Sequence, residues 1–249
     1  MHEFGEYGAY GVRFNGKHTW ADFHLRVLDK ALSFPEKASV TTSLPYSNQI
    51  IDLSALYGHQ IFKDRTFKMT FLLTAWETHT KEQLYRKWTE LVNWLQGTAG
   101  RQPLVDDIMA DYYYLGEVIT APSWEEMRLY GKLTVEWTCY PFRIHAVAEG
   151  DDVWDDFDFE FGVAQETSFD VTDATMVTLL NVGTQPAQPT IVAGADFTVA
   201  VTGSKTCGVK KGTVTAEDAA YPFTLQVGTS ELTITGTGSI ACDWHKEVI

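Results

Sequence analysis

The residues of this chain best suited to chemistry are six carboxylates crowded into positions 151–160, Asp-Asp-Val-Trp-Asp-Asp-Phe-Asp-Phe-Glu. Several oxygen ligands converging from one loop are what Ca²⁺ binds. From Phe157 onward, however, phenylalanine and acid alternate, and this alternation is typical of a half-buried strand whose acids face solvent. The pattern favours the strand over a calcium site, and the sequence predicts no metal and no cofactor.

No other chemical motif stands out. None of the seven histidines has His-Glu-x-x-His spacing, and the sequence contains no Cys-x-x-Cys, no Gly-x-Ser-x-Gly elbow and no phosphate-binding loop. A carboxylate pair could in principle hydrolyse a glycoside, but nothing singles out one pair among the 33 Asp and Glu. We therefore expect a protein without enzymatic activity.

The cysteines and the apolar pattern narrow the class of protein further. Cys139, Cys207 and Cys242 are odd in number and widely spaced, which indicates reduced thiols rather than a disulfide framework. Whether Cys207 and Cys242 are strand neighbours is left open. The first residues lack a basic and then apolar pattern, so no signal peptide is expected, and no apolar run reaches the ~20 residues that membrane insertion needs.

The net charge of −14 is unevenly distributed. Residues 1–142 contain 14 Lys and Arg against 17 Asp and Glu, a net −3, whereas residues 143–249 contain 5 against 16, a net −11. Such a second half repels a phosphate backbone, so the chain is not expected to bind nucleic acid. A surface that lets DNA pass without binding and a merely soluble surface both fit this charge.

One segment predicts an α-helix, over about residues 80–96. Thr80 and Gln83 have the spacing of a capping box, and Gly97 is expected to end the helix in a left-handed conformation. The apolar residues recur with the period of one helical face, at Leu84, Trp88, Leu91, Val92 and Leu95.

The rest of the chain alternates apolar and polar residues as strands do. In the first half Asn15-Gly16 predicts a hairpin turn, and strands are expected at 20–28, 63–76, 103–105, 112–116 and 128–139, with short strands and a long loop over 31–60. After Pro141 the composition changes, which predicts a domain boundary between 1–142 and 143–249. The second half predicts an antiparallel sandwich with strands at 154–161, 176–182, 190–193, 197–201, 223–227, 231–235 and 240–244. Turns are expected between them at Gly183, Gly194, Gly203, Gly212, Gly228 and Gly236.

Several short motifs follow one another along nearly the whole chain. They are Val12-Arg13-Phe14-Asn15-Gly16, Trp20-Ala21-Asp22-Phe23, Ile51-Asp52-Leu53 through Tyr57-Gly58, Lys63-Asp64-Arg65-Thr66-Phe67, Leu91-Val92-Asn93-Trp94-Leu95-Gln96-Gly97, Tyr114-Leu115-Gly116-Glu117-Val118, Cys139-Tyr140-Pro141-Phe142, and Leu180-Asn181-Val182-Gly183-Thr184 leading to Pro189-Thr190-Ile191. In this order they resemble the phage distal tail protein (Dit) family of long, non-contractile-tailed phages. Beyond Gly194 the resemblance is one of class, not of motif.

The resemblance implies a mainly β fold. Residues 1–142 would form a β-sandwich-like belt domain, with the helix and an extended β-hairpin, that assembles into a hexameric ring, and residues 143–249 a galectin-like antiparallel β-sandwich. It implies a structural virion protein of the phage tail tip, made in the host cytoplasm. The ring would join the tail-tube protein to the hub or tail-associated lysin, and a receptor-binding protein or a host glycan would be further partners.

The ring interface is expected in the first half, because six copies of the strongly acidic half would repel one another. The candidate interface residues are Lys63, Arg65, Lys68, Tyr112 and Tyr114, together with the segment 29–60, whose sheet edges and hairpin could pair across subunits. Tyr112, Tyr114 and the tryptophans could instead line a sugar site. The alternative function is therefore a carbohydrate-binding module that contacts the host cell wall.

Overall fold

The computed structural model describes residues 10–43, 46, 48, 50–54, 59–73, 80–127, 130–150, 163–202, 206–215 and 223–249. The chain divides into two compact units, Met1–Arg143 with Ile249 (unit 1) and Ile144–Val248 (unit 2). The acidic run, the strand predicted at 154–161, the turn predicted at Gly203, the Tyr57-Gly58 end of one motif, and positions 74–76 and 128–129 of two predicted strands lie outside the described residues. That the two units fold separately stays a prediction.

Unit 1 is an antiparallel sheet with one helix. Its elements are β1 Val12–Phe14, β2 Lys17–His18, β3 Arg26–Leu32, β4 Thr41–Ser43, β5 Ile50–Asp52, β6 Arg65–Leu73, α1 Lys81–Gln96, β7 Gln102–Asp106, a 3₁₀ turn Asp107–Met109, β8 Tyr112–Glu117, β9 Ser123–Glu126 and β10 Gly131–Cys139. The strands follow the spatial order β2-β1-β7-β8-β10-β6-β3, and β9 also pairs with β10.

The longest pairing in unit 1 joins β6 and β10 over nine residues, from Arg65 opposite Cys139 to Leu73 opposite Gly131. Alternate residues of both strands point inward, so that Phe67 lies opposite Trp137 and both are fully buried. This is the period-two burial predicted for 63–76 and 128–139, and those strands are confirmed over their described parts.

The predicted helix is confirmed as α1, with the Thr80 hydroxyl accepting a hydrogen bond from Gln83 N at 3.3 Å. The left-handed end predicted at Gly97 is wrong, because its φ is −77°. Glycine is required there for another reason: a Cβ at this position would lie 2.4 Å from the carbonyl oxygen of Asn93.

The Asn15-Gly16 turn is confirmed, with φ of 46° and 73°, but the strand predicted at 20–28 is wrong in its first half. Trp20 to Phe23 form a turn in which His24 N donates to Trp20 O at 2.8 Å, and His24 has a φ of 50°. The local hydrogen bond outweighs the alternation of apolar residues, so β3 begins only at Arg26.

The sheet of unit 1 curls so far that strands distant in its order meet. β7 and β3 are separated by β8, β10 and β6, yet the Lys30 ammonium on β3 forms an ion pair with Asp106 at the end of β7. Tyr10 donates to the same carboxylate at 3.0 Å. Burial, and then the charge of Asp106, raise the pKa of the Tyr10 hydroxyl. This buried polar cluster closes the open side of the sheet around the core.

Unit 2 is a curled antiparallel sheet built around one long strand. The strands of this sheet are β12 Ser168–Asn181, β13 Thr190–Ala193, β14 Phe197–Val201, β15 Thr206–Val209, β16 Gly212–Val214 and β17 Gly228–Asp243. Two short strands lie outside it: β11 Arg143–His145, whose first residue belongs to unit 1, and β18 Glu247–Val248. The order is β15-β14-β17-β13-β16, with β12 along the other side of β17 and β11 paired with β18.

Strand β17 replaces two strands predicted at 231–235 and 240–244. One of its edges pairs with all of β12, while the other pairs with β14 through Leu232–Thr235 and with β13 through Ile240–Asp243. Gly236, predicted to be a turn, lies inside the strand with a φ of 151°. The strand predicted at 223–227 is wrong, since its described contact with the sheet is an isolated bridge from Leu225 to Ala187.

The mainly β class, the single helix among the described residues and the antiparallel second unit are confirmed. The open question about Cys207 and Cys242 is also answered. Cys207 on β15 pairs with Val199, which in turn pairs with Ile234 of β17, eight residues along the strand from Cys242. The two thiols are therefore not neighbours, and neither forms a disulfide.

Candidate subunit interface

The segment between β3 and β6 forms a separate hairpin, which we call the arm and define as the described residues of 33–63. Its base is paired by Lys63 N donating to Glu36 O and Ala38 N donating to Ile61 O, both at 2.8 Å. A bridge between Lys37 and Phe62 lies between these two bonds. The base is thus an antiparallel ribbon that continues away from β3 and β6.

Further along the arm, β4 and β5 pair in register, with Thr41 opposite Asp52. Among the described strands they pair only with each other. The Ser54 hydroxyl accepts from Val40 N, and the Asp52 carboxylate accepts from Ser54 N, both at 2.8 Å. Hydrogen bonds from the Ser54 side chain and then from the Ser54 N–H lower the pKa of the Asp52 carboxyl. The described part of the arm therefore has its own hydrogen-bond network.

The arm is unusually apolar for a segment that its own chain does not cover. All residues of β4 and β5 are exposed. Large hydrophobic side chains lie in solvent, and they include Phe34 (79 % exposed), Val40 (48 %), Ile50 (68 %) and Ile51 (38 %). Apolar surface grouped in this way marks an interaction site, because a chain that stays alone gains nothing by exposing it. A two-stranded ribbon is also only marginally stable in water by itself.

Arg65 holds the root of the arm. Its Nε donates to Ser33 O at 3.0 Å and its Nη1 donates to Pro141 O at 3.2 Å. The guanidinium carbon lies 6.0 Å from the ring centre of Phe34 and 5.2 Å from that of Tyr114. Burial lowers the pKa of Arg65, and within the described part of the chain no carboxylate pairs with it.

The five residues predicted for the interface divide into two groups. Lys63 and Lys68 are exposed, and Lys63 forms an ion pair with Glu36 at 3.1 Å. Arg65, Tyr112 and Tyr114 are only 2 %, 7 % and 5 % exposed. The structure thus brings Arg65 and Tyr114 together beneath the arm, whereas the two lysines present their charges outward. Their part in an interface stays a prediction.

The rings of Tyr112 and Tyr114 are covered by neighbouring side chains of unit 1. The Arg143 guanidinium lies 5.6 Å from the Tyr112 ring centre, and Phe67 lies 5.7 Å from that of Tyr114. Burial raises the pKa of the Tyr114 hydroxyl. With their faces covered by these neighbours, Tyr112 and Tyr114 do not offer the open ring on which a sugar stacks.

Sequence reasoning placed the arm segment in the interface but did not single out its exposed apolar residues. The exposed apolar residues Val40, Ile50 and Ile51 belong to strands with neither face buried, so they show no apolar period that could be read. The available signal was composition: Thr-Thr-Ser and Ile-Ile-Asp flank a stretch containing Pro45 and Asn48, as two strands flank a turn.

The described residues contain neither a cluster suited to a metal ion nor a helix suited to span a membrane. Within the described ranges, no group of three or more His, Cys, Asp or Glu side chains is placed to hold a metal ion. None of the helices in those ranges has the length and apolar character needed to span a bilayer.

Comparison with known proteins shows a strong structural likeness. No family model and no curated protein matches the chain. The chain has the fold of a phage distal tail protein. It is similar to the crystal structure of the SPP1 Dit protein (gp 19.1), with a TM-score of 0.62 and 14 % identity, over 95 % of this chain and 98 % of that chain. That protein is described as a paradigm of the hub adsorption apparatus in phages that infect Gram-positive hosts. The Dit fold expected from the motifs is thus confirmed.

Proposed function

We propose that this chain is a structural, non-enzymatic protein of a phage tail tip, and that six copies form a ring through head-to-tail contacts of unit 1. The ring joins the tail-tube protein to the hub or tail-associated lysin, and unit 2 faces a receptor-binding protein or the host surface. The protein is made in the host cytoplasm and resides in the virion. The observation that carries the proposal is the Dit fold over 95 % of the chain.

The arm supports this assembly. In a closed ring one patch of each subunit meets a different patch on the next, so each copy needs a surface that its own chain leaves uncovered. The exposed apolar residues of the arm meet that need, and strand pairing along β4 or β5 would add backbone hydrogen bonds. Lys63, the last residue of the arm, and Lys68 on β6 would add charge contacts of the kind that fix register.

The carbohydrate-binding alternative has less support. Sugar sites present open aromatic rings, and in the described part of unit 2 the aromatic side chains Phe197, Phe223 and Trp244 are buried while Phe169 is half-buried. The charge distribution fits the ring proposal better, since the net −11 of residues 143–249 keeps the second units of six copies apart.

Imaging the purified chain by negative-stain electron microscopy tests the proposal, with six-fold rings as the expected result. A chain that stays monomeric at all concentrations, yet binds isolated cell-wall polysaccharide, would favour the alternative. Light scattering of two fragments assigns the interface: residues 1–143 are expected to form oligomers and residues 144–249 to stay monomeric. The reverse pattern would move the interface to unit 2.

A further inference from the structure

Arg65 is a buried cation that the fold of unit 1 does not need. It is 2 % exposed, lies at the first position of β6 and faces Cys139 of β10 in register. The other inward positions of β6 are the apolar residues Phe67, Met69, Phe71 and Leu73. An apolar side chain would complete this row without the cost of removing a charge from water, since buried ions are often replaced by hydrophobic residues at no loss of stability.

Among the described residues, the hydrogen bonds of Arg65 lie at the root of the arm. One donor goes to the carbonyl of Ser33, the first residue of the arm, and another goes to the carbonyl of Pro141, which follows β10. The guanidinium carbon lies 6.0 Å from the Phe34 ring centre and 5.2 Å from the Tyr114 ring centre. A planar cation with fixed donors can hold two carbonyls and two rings at once, which a lysine ammonium cannot do.

The second strand at the arm's base is held at the same place. The Phe62 ring packs edge-on against Phe142, with ring centres 5.4 Å apart, and Phe142 directly follows Pro141. Ser33 N also donates to Thr66 O at 3.0 Å, and Thr66 N donates to the Ser33 hydroxyl at 2.8 Å. One strand of the arm is thus linked to Pro141 through Arg65 and Ser33, and the other contacts Phe142 through Phe62.

We infer that Arg65 is the positioning residue of the arm, whose guanidinium fixes how the arm leaves the sheet by tying Ser33 to Pro141. The inference rests on the proposed function only for its effect on assembly. An arm that is already fixed at its root loses less conformational entropy when it contacts the neighbouring subunit than a free arm does. The local effect, the ordering of the root, is independent of whether a ring forms.

The test compares Arg65→Met, which keeps apolar volume and removes charge and donors, with Arg65→Lys, which keeps the charge. Arg86→Met on the exposed face of α1 is the matched control, because among the described residues this arginine pairs with Glu82 of its own helix. Hydrogen exchange is followed in peptides that cover the root amides of Ser33, Ala38 and Lys63 and, separately, in peptides from β10. Oligomer formation is followed by light scattering over a dilution series.

In Arg65→Met, exchange at the root amides is expected to rise roughly tenfold or more while β10 keeps its protection, and half-assembly is expected to need roughly tenfold more protein. Arg65→Lys should fall between this variant and the natural chain, and Arg86→Met should match the natural chain. If Arg65→Met does not fold, Arg65→Lys still tests the inference, and faster exchange at its root amides than in the natural chain supports it.

Unchanged exchange at the root in either Arg65 variant would overturn the inference and leave the proposed ring intact. Exchange that rises equally in β10 and at the root would also overturn it, because Arg65 would then stabilise unit 1 as a whole. Faster exchange at the root with unchanged assembly would support the positioning of the arm and would instead refute the arm as the ring interface.

Discussion

The indole nitrogen of Trp94 donates a hydrogen bond to the backbone carbonyl of Phe14 at 3.1 Å, and the bond joins residues 80 positions apart. Trp94 also lies against Phe23, with ring centres 4.7 Å apart. The helix α1 is thus attached to the first strand and to the loop that follows it. Detaching α1 from unit 1 would therefore also expose β1.

Replacing Trp94 by Phe should destabilise unit 1. The substitution keeps an aromatic ring but removes the donor and leaves a gap, so the free energy of unfolding is expected to fall by about 1–3 kcal/mol. Urea unfolding followed by circular dichroism measures the change. Trp20→Phe is the control, because Trp20 is half-buried and contacts His24 rather than the core. Equal losses in both variants would argue against a special role for the bond.

A charge on the arm should weaken self-association without unfolding the subunit. Ile50→Asp places a carboxylate at a side chain that is 68 % exposed in the single chain, and we expect the concentration for half-assembly to rise roughly tenfold or more. Met176→Asp is the matched control, since Met176 is 72 % exposed on β12 in unit 2. Sedimentation velocity compares the variants. An equal loss of assembly with Met176→Asp would contradict an interface confined to unit 1.

Thiol labelling should single out Cys207. Burial raises the pKa of both Cys139 and Cys242 to about 12, so at pH 8 only about one in 10⁴ of these groups is a thiolate. Iodoacetamide is therefore expected to modify half-buried Cys207 first and the other two only after unfolding. Mass spectrometry of tryptic peptides identifies the site, and Cys207→Ser should abolish the fast phase. Labelling of Cys242 at the rate of Cys207 would contradict the burial.

The same thiols predict how stability depends on pH. A thiol whose pKa is about 12 when folded and 9.0 when unfolded keeps its proton longer in the native state. Its contribution is complete below pH 9.0 and is lost as the pH rises toward 12. The urea midpoint should fall over this range, and Cys242→Ala should reduce the slope. An unchanged slope in that variant would refute the contribution of Cys242.

Gly236 should not tolerate a side chain. Its φ of 151° is strained for any other residue, and a Cβ there would lie 2.6 Å from Cδ1 of Phe197. We expect Gly236→Ala to lower the unfolding free energy of unit 2 by about 1–3 kcal/mol. Gly208→Ala is the control, because a Cβ at Gly208 meets nothing within 4 Å. Its effect should stay within about 0.5 kcal/mol.

The elements that were predictable from sequence are those whose burial follows a simple period. In β6 and in α1 the apolar residues alternate or repeat because one face packs on the core, and both elements lie where the pattern placed them. Gly236 was misread as a turn because glycine serves both turns and close packing, and only the ring of Phe197 beneath it tells the two apart.

The candidate interface was predictable only as a segment. Charge balance and the irregular pattern of 29–60 pointed to it, but Arg65 and Tyr114 were expected at its surface and lie beneath it. Sequence does not distinguish a cation that faces a partner from one that binds two carbonyls of its own chain. That distinction depends on Ser33 and Pro141, which are 32 and 76 residues away from Arg65.

Because β17 pairs with β12, β13 and β14, it sets the order in which a growing polypeptide can complete unit 2. Among the described strands β12 pairs only with β17 and waits for residues 228–243, while β13 and β14 can pair earlier with β16 and β15. The long pairing of unit 1, in contrast, closes once Cys139 has been synthesised. At ribosomal rates the roughly 100 residues between these points take about 5–20 s. During that time β12 lacks its partner strand, and the negative charge of residues 143–249 keeps neighbouring nascent chains from aggregating.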